Sequence, residues 1–183
     1  IGYDILCSIF IRDIFGLGER FFGMMIGLIG LGTLGGALWL MFRKGESDRW
    51  RDIVVGLLLA SCIPLSPALV SITGSKELGI GLMALGNLLG GFGSGLILVQ
   101  VNTLLQVLSP PTAVGRVAGA FESTATAGQL AGMLLTPLLV PGLISMGTYF
   151  FGSVAAILLL VGYVVFMLNR QTPRPQLSDS VGI

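Results

Sequence analysis

The chain has 183 residues, of which 54% are hydrophobic and 10% are charged, a composition that excludes an ordinary water-soluble domain and predicts a membrane protein. Ten Lys and Arg residues against nine Asp and Glu residues leave a net charge of +1, too weak a basic footprint for a nucleic-acid partner. The sequence contains no His, so it lacks the usual general base and the commonest metal ligand. We therefore expect no enzyme and no metal or cofactor site.

Two membrane spans are predicted in the first quarter of the chain. Residues 1 to 17 are mostly apolar, begin with Ile1 rather than Met and follow no basic stretch, so we expect a partial span with a truncated start and not a signal peptide. Residues 21 to 42 contain no charge and are flanked by charges on both sides. Their number matches the ~20 apolar residues that cross a hydrocarbon core of about 30 Å, so we predict a transmembrane helix there.

The middle of the chain predicts two further spans. Residues 53 to 73 form the third, and Pro64 and Pro67 predict a kink within it, which neighbouring helices make tolerable in a membrane. Residues 78 to 107 form the fourth. We expect it to end before Ser109-Pro110-Pro111, because paired prolines stop a helix.

The last part of the chain predicts two spans and a tail. A Pro-Gly pair at positions 141 and 142 divides an apolar stretch into spans near 115 to 139 and 147 to 168. Residues 169 to 183 are polar and contain two prolines, so we predict a disordered tail. The predicted fold is an all-α, polytopic bundle of six transmembrane helices over residues 1 to 168, with the first helix truncated.

The basic residues predict the orientation, because Lys and Arg in short loops concentrate on the cytoplasmic side. One side of the predicted bundle holds three: Arg12, Arg20 and Lys76. The other side holds seven: Arg43, Lys44, Arg49, Arg51, Arg116, Arg170 and Arg174. We therefore place the loop from 43 to 52 and the C-terminus in the cytoplasm, and predict an integral protein of a bacterial inner membrane.

Glycine is frequent and lies within the spans. The chain has 28 glycines, a share about twice the typical one of about 7%. Pairs four residues apart leave a groove on a helix face, where a neighbouring backbone can approach closely. These pairs are Gly23/Gly27, Gly32/Gly36, Gly86/Gly90, Gly91/Gly95, Gly115/Gly119 and Gly128/Gly132. They indicate either close packing or smooth faces along which helices slide during transport, and the spacing does not separate the two.

Two carboxylates fall within predicted spans, where a charged side chain costs about 2.5–3.5 kcal/mol at the helix centre. Glu122 lies about 13 Å of helix rise beyond the Pro110-Pro111 turn, where it can carry a proton in a wet cavity. Alternatively it reaches towards the cytoplasmic surface or pairs with Arg116. Asp4 is the second candidate for proton coupling, and its alternative is a structural or interfacial role.

Uncharged polar side chains gather on the fourth and fifth spans. Asn102 and Gln106 are four residues apart and share a helix face. Such groups either hydrogen-bond between helices or line a solute path. We take Asn102, Gln106 and Gln129 as candidates for a substrate cavity. The other polar groups are expected to join helices: Asn87, Gln100, Ser123, Thr124 and Thr126.

Two segments resemble parts of the major facilitator superfamily of transporters. Arg-Asp-Ile-Phe-Gly-Leu-Gly at residues 12 to 18, with Phe22-Gly23 and the glycines between 30 and 36, looks like its seventh and eighth helices. Residues 105 to 119, with Ser-Pro-Pro and Gly-Arg-Val, resemble the link between its tenth and eleventh helices. This likeness is strongest to the branch that exports drugs, macrolides or siderophores, and it covers residues 1 to 168.

The resemblance implies the C-terminal half of a two-lobed transporter, with repeats near residues 1 to 73 and 78 to 168. Its implied partners are the lipid bilayer, a small-molecule substrate and a missing N-terminal half of six helices. The implied activity is the efflux of small amphipathic solutes by alternating access, coupled to protons. The competing function is a membrane scaffold or assembly subunit that packs through its glycine faces and transports nothing.

The loop after the second span lies where the family has a conserved Gly/Asp/Arg motif. It contains Asp48 and Arg49, and Arg116 lies in the loop region on the same predicted side. The resemblance therefore implies that Asp48, Arg49 and Arg116 brace helices and gate the inner face. A solvated, positively charged cytoplasmic loop is the alternative.

Overall fold

The computed structural model describes Arg12 and residues 19–43, 48–73, 76–140 and 145–171, and the regular elements among them are all helices. In chain order they are α1 (Glu19–Phe42), α2 (Arg49–Ala60), α3 (Cys62–Thr73), α4 (Lys76–Leu108), α5 (Val114–Leu139) and α6 (Met146–Gln171). The predicted all-α class is confirmed. The predicted span at residues 1 to 17, with Asp4, lies outside the described residues.

α4 is the central helix of the described bundle. α1 packs along one side of it and α2 with α3 along another, while α6 packs against α3 and α2. α2 and α3 run antiparallel to α4, because Gly56 lies beside Gly93 and Ser66 beside Gly86. α1 ends and α2 begins at one end of the bundle, which we call the Arg43 end. The opposite end, where α3 ends and α4 begins, is the Lys76 end.

Glycine allows α1 and α4 to meet backbone to backbone. A Cβ atom added at Gly32 or Gly36 would collide with backbone atoms of α4, and one at Gly91 or Gly95 with carbonyl oxygens of α1. Thr33 Oγ1 also lies 3.2 Å from the Gly91 carbonyl oxygen across this contact. The close packing predicted at these two glycine pairs is confirmed.

Another face of α4 meets α2 and α3 just as closely. A Cβ atom at Gly56 would lie 2.8 Å from the carbonyl oxygen of Gly93, and one at Gly86 would lie 2.7 Å from Cβ of Ser66. Gly90 lies against α3 as well. The packing predicted at Gly86/Gly90 is therefore confirmed, and α4 lacks side chains on two faces where neighbours approach.

The predicted kink in the third span is a break at Ser61, between α2 and α3. Pro64 has no N–H, and its ring crowds the carbonyl four residues earlier, at Ala60, where α2 ends. Pro67 lies inside α3 without ending it. α2 and α3 together still form one apolar segment of 24 residues.

The apolar core lies towards the Lys76 end. Met25, Met83 and Phe150 are at most 1% exposed, and they form one cluster with Ala68 and Val70 that joins α1, α3, α4 and α6. This cluster anchors α6 to the bundle.

α6 is longer than predicted. It continues to Gln171, so residues 169 to 171, predicted as the start of the tail, are helical. The guanidinium of Arg170 lies 4.7 Å from the centre of the Phe166 ring. A cation in the last turn also interacts favourably with the helix dipole, which favours a helical conformation at these residues.

Four described segments are long and apolar enough to cross a membrane: Arg20–Phe42, Arg49–Ile72, Lys76–Leu108 and Gly147–Leu168. They are consistent with an integral membrane protein. α5 begins and ends within one residue of its predicted bounds, yet it is not among these four segments. Four apolar spans are thus found where six membrane helices were predicted over the whole chain.

Gly91→Ala is expected to destabilise the bundle, because the added Cβ would meet the backbone of Ile29. Overpacking of this kind costs about 1–3 kcal/mol. The matched control is Gly81→Ala in the same helix, where the added Cβ would meet nothing within 4 Å and where Ala is the better helix former. Chemical unfolding in detergent micelles, followed by circular dichroism, measures both variants. Equal unfolding midpoints would contradict the close contact between α1 and α4.

Candidate functional site

α5 carries a stripe of small and polar residues along one face. Gly115, Gly119, Glu122, Thr126 and Gln129 are alternately four and three residues apart, which places them on one side of the helix. All five are exposed. A Cβ atom added at either glycine would meet nothing within 4 Å among the described residues. We call these five residues the Glu122 stripe.

α5 touches the described bundle near its ends. Val117, in its first turns, shares a groove with the last turns of α4. Near its other end, the Thr136 hydroxyl lies 3.2 Å from the Tyr149 hydroxyl of α6. Between these points every residue from 119 to 131 except Ala125 is exposed. Within the described part of the chain, the middle of α5 therefore has no helix packed around it.

α5 is long enough to cross a membrane but too polar to be stable there as an isolated helix in lipid. Its 26 residues extend about 39 Å, which is enough to cross a hydrocarbon core of about 30 Å. However, Glu122 and Gln129 lie within it, and a charged side chain costs about 2.5–3.5 kcal/mol at the centre of a membrane helix. If α5 crosses a membrane, the Glu122 stripe needs protein or water beside it.

Glu122 and Arg116 do not form the ion pair that the sequence allowed. They are six residues apart, which places them about 120° from each other around α5, and both are exposed. The ion pair found among the described side chains joins Arg43 and Asp52 instead. Proton coupling by Glu122 stays a prediction, and so does the role of Asp4, which lies outside the described residues.

The candidate cavity residues are exposed on two helices. Asn102 and Gln106 lie on one face of α4 and Gln129 on the Glu122 stripe. Asn102 Nδ2 donates to the carbonyl oxygen of Leu98 in its own helix at 2.8 Å. No hydrogen bond in the described part of the chain joins these three side chains to one another, and their place in a substrate cavity stays a prediction.

A second polar site is buried at the Arg43 end, between α1, α2 and α4. Asp52 of α2 is 4% exposed and Gln100 of α4 is 5% exposed. Arg43 Nη1 donates to Asp52 Oδ1 at 2.9 Å, and Gln100 Nε2 donates to Asp52 Oδ2 at 2.8 Å. Each carboxylate oxygen thus accepts a bond from a different part of the chain. We call these three residues the Asp52 cluster.

Aromatic contacts continue the Asp52 cluster along α1. The guanidinium of Arg43 lies 4.9 Å from the centre of the Trp39 ring, whose centroid is 6.2 Å from that of Phe92 in α4. A buried carboxylate is tolerated when it is both paired and hydrogen-bonded. The cluster therefore fixes the end of α1 to α2 and α4.

The gating residues predicted from the loop motif have other surroundings. Asp48 is the exposed N-cap of α2, where its Oδ1 accepts from the backbone N–H of Arg51 at 3.4 Å. Arg49 is partly exposed, and Arg116 is exposed at the start of α5. A gating role for Asp48, Arg49 and Arg116 stays a prediction.

Sequence reasoning missed Asp52 as the residue that braces the helices. Position 52 was considered only as the end of the predicted loop from 43 to 52. The prediction that Gln100 joins helices is confirmed by its bond to Asp52. The available signal was position: Asp52 opens one span and Gln100 lies near the end of the next, so antiparallel packing brings them to the same level. The partner Arg43 carried no such signal, because it follows the end of α1.

Chemically, the Glu122 stripe offers one carboxyl group for proton exchange and two side chains, Thr126 and Gln129, for hydrogen bonding. The described residues contain no group of three or more His, Cys, Asp or Glu that could hold a metal ion. No known protein family, curated protein or solved structure matches this chain. The function is therefore proposed from the described residues together with the resemblance of the sequence to the major facilitator superfamily.

Asp52→Asn is expected to destabilise the bundle by about 1–3 kcal/mol, because it leaves the Arg43 guanidinium without its countercharge; Arg43 is partly solvated, which lowers the cost from that of a fully buried pair. Asp48→Asn is the matched control. Asp48 is exposed and Asn caps a helix as well as Asp does, so we expect a change below about 0.5 kcal/mol. Chemical unfolding in detergent micelles measures both. A brace at Asp52 is ruled out if the two variants unfold at the same denaturant concentration.

Proposed function

We propose that this chain is one lobe of a two-lobed secondary transporter of the major facilitator type, which exports small amphipathic solutes by proton-coupled alternating access. In this proposal residues 1 to 168 form six membrane helices, with the segment 1 to 17 as the first and α5 as the fifth. The partner is a second lobe of six helices that faces the Glu122 stripe. The setting is a bacterial inner membrane, with the Arg43 end in the cytoplasm because most of the basic residues lie there.

The observation that carries the proposal is the exposed Glu122 stripe on a helix of membrane-spanning length. Contact between this stripe and lipid is unfavourable, because a charged Glu122 in hydrocarbon costs free energy. The open glycine faces of α5 allow a second protein surface to approach. A water-filled path between two lobes would solvate Glu122 and place a protein surface beside the glycines. Substrate sites of such carriers lie near the bilayer midplane between the repeats, and the stripe passes the middle of α5 between Thr126 and Gln129.

The remaining helices support a lobe that moves as a unit. α4 meets α1, α2 and α3 through glycines with almost no room for rearrangement. The Asp52 cluster adds a partly buried ion pair that ties three of these helices together at one end. Rigid-body rocking of one lobe against another needs such a unit. The contact that changes during rocking is then the one between the two lobes and not a contact within this bundle.

In this mechanism Glu122 takes up a proton on one side of the membrane and releases it on the other. Thr126 and Gln129 hydrogen-bond the polar part of the solute near the middle of α5, and Asn102 and Gln106 of α4 line the path nearer the Arg43 end. Gly115 and Gly119 lie at the Arg43 end of the stripe, where the absence of side chains lets the second lobe approach and close the path.

A membrane scaffold is the competing function. The pairs Gly115/Gly119 and Gly128/Gly132 are open among the described residues, and a single partner helix can fill such grooves. The two functions differ in what lies beside Glu122. In a scaffold another helix packs against Glu122 without water between them, whereas in a transporter water and solute lie beside it.

Glu122→Gln tests the proton role. In inside-out membrane vesicles that contain the two-lobed protein, we expect an acid-interior pH gradient to drive uptake of a lipophilic fluorescent cation. Glu122→Gln should abolish the gradient-driven part of this uptake, because Gln cannot exchange a proton. The matched control is Glu77→Gln, an exposed carboxyl in the first turn of α4 at the Lys76 end, which should leave transport unchanged.

Two results would count against this mechanism. Uptake by Glu122→Gln at the normal rate and with the normal pH dependence would remove Glu122 from it. Equal loss of uptake in Glu122→Gln and Glu77→Gln would show that the effect is not specific to Glu122, and this would contradict its role as the proton carrier.

A further inference from the structure

An apolar groove of about 460 Å³ opens at the Arg43 end, between α2, the last turns of α4 and the start of α5. Its lining includes Trp50, Ile53, Val101, Leu105, Leu108 and Val117. It lies apart from the Glu122 stripe, because Val117 is turned about 140° from Glu122 around α5. A groove with almost no polar lining suits a hydrocarbon chain and not a polar solute.

Three arginines accompany the lining residues in sequence. Arg49 and Arg51 flank Trp50 at the start of α2, and Arg116 precedes Val117 at the start of α5. All three are exposed or partly exposed, and the structure records no ion pair for them within the described residues. The helix starts that contribute Trp50 and Val117 to the groove thus carry three exposed or partly exposed arginines, and this combination favours an amphiphile with an anionic head.

The groove also lies at the level where such an amphiphile is found. α2 begins and α4 ends there, so the groove marks the end of two apolar segments that can cross a membrane. Trp50 is 44% exposed at this boundary, and Trp is enriched where the hydrocarbon core meets the headgroups. Basic pockets between helices on the cytoplasmic side bind anionic lipid headgroups.

We propose that this groove binds an anionic phospholipid of the surrounding membrane, with one acyl chain along Trp50, Val101 and Leu105 and the phosphate beside Arg49, Arg51 and Arg116. The site depends on insertion into a membrane and not on transport, so it holds for a transporter and for a scaffold. Because the lipid touches α2, α4 and α5 together, its binding joins α5 to the rigid part of the bundle at the Arg43 end.

The position of Trp50 allows a direct test in the full chain. The sequence has two tryptophans, so Trp39→Phe leaves Trp50 as the single tryptophan and keeps an aromatic ring beside Arg43. The protein is reconstituted in vesicles of phosphatidylcholine and phosphatidylglycerol, one of which carries brominated acyl chains that quench tryptophan. We expect brominated phosphatidylglycerol to quench Trp50 more strongly than brominated phosphatidylcholine at equal mole fraction.

Three variants separate the groove from general attraction to a charged surface. Arg49→Gln, Arg51→Gln and Arg116→Gln together should bring the preference for phosphatidylglycerol close to one, because each arginine near the surface contributes up to about fivefold. The matched control is Arg20→Gln with Lys76→Gln at the Lys76 end, which should keep the preference. Val101→Phe fills the groove, so it should lower the quenching by phosphatidylglycerol.

Four results would overturn the lipid site. They are equal quenching by both lipids, a preference that persists without the three arginines, quenching unchanged by Val101→Phe, and no quenching by either lipid. The last result would show that a segment of protein covers the groove. Circular dichroism of each variant confirms that the helices are retained, so that a lost preference reports the site.

Discussion

Two glycine faces on α4 determine how the described helices pack. Gly91 and Gly95 meet carbonyl oxygens of α1, while Gly86 and Gly93 meet α3 and α2. Lipid chains are as apolar as Leu side chains, so burial in a membrane gives little drive for one helix to leave lipid for another. Close backbone contact, with its dispersion attraction and weak Cα–H···O bonds, then supplies the association. The Asp52 cluster adds a polar link at one end of the same three-way contact.

This packing divides the chain into a fixed part and an open part. α1 to α4 interlock through contacts that a single added methyl group would disturb, and α6 is anchored on them through the apolar core. α5 contributes none of these glycine contacts and presents its polar face outwards. A helix that is too polar for lipid and is not enclosed by the described helices requires protein or water beside it. That requirement, rather than any single residue, is the basis of the proposed transport function.

The sequence predicted four of the membrane spans because spans follow from length and apolarity, which local composition records. It predicted the tight contacts at Gly32/Gly36, Gly86/Gly90 and Gly91/Gly95 because spacing alone creates the groove. It did not predict that Gly23/Gly27, Gly115/Gly119 and Gly128/Gly132 would be open among the described residues, because spacing says nothing about which neighbour is present. Asp52 was missed since its burial depends on the registry of α2 against α4, a long-range property. The environment of Glu122 depends on protein or water outside the described residues. Neither the sequence nor the described helices determine it, so the role of Glu122 is a proposal.

The reactivity of cysteines placed on α5 distinguishes a water path along the Glu122 stripe from a dry contact. In a chain whose two native cysteines are replaced by Ser, Thr126→Cys and Thr124→Cys compare two exposed positions at nearly the same depth, about 160° apart around the helix. In native membranes that are permeabilised to a water-soluble maleimide, we expect rapid modification of Thr126→Cys, on the Glu122 stripe, and little modification of Thr124→Cys. Modification of neither position, or equal modification of both, would contradict a water path along the stripe.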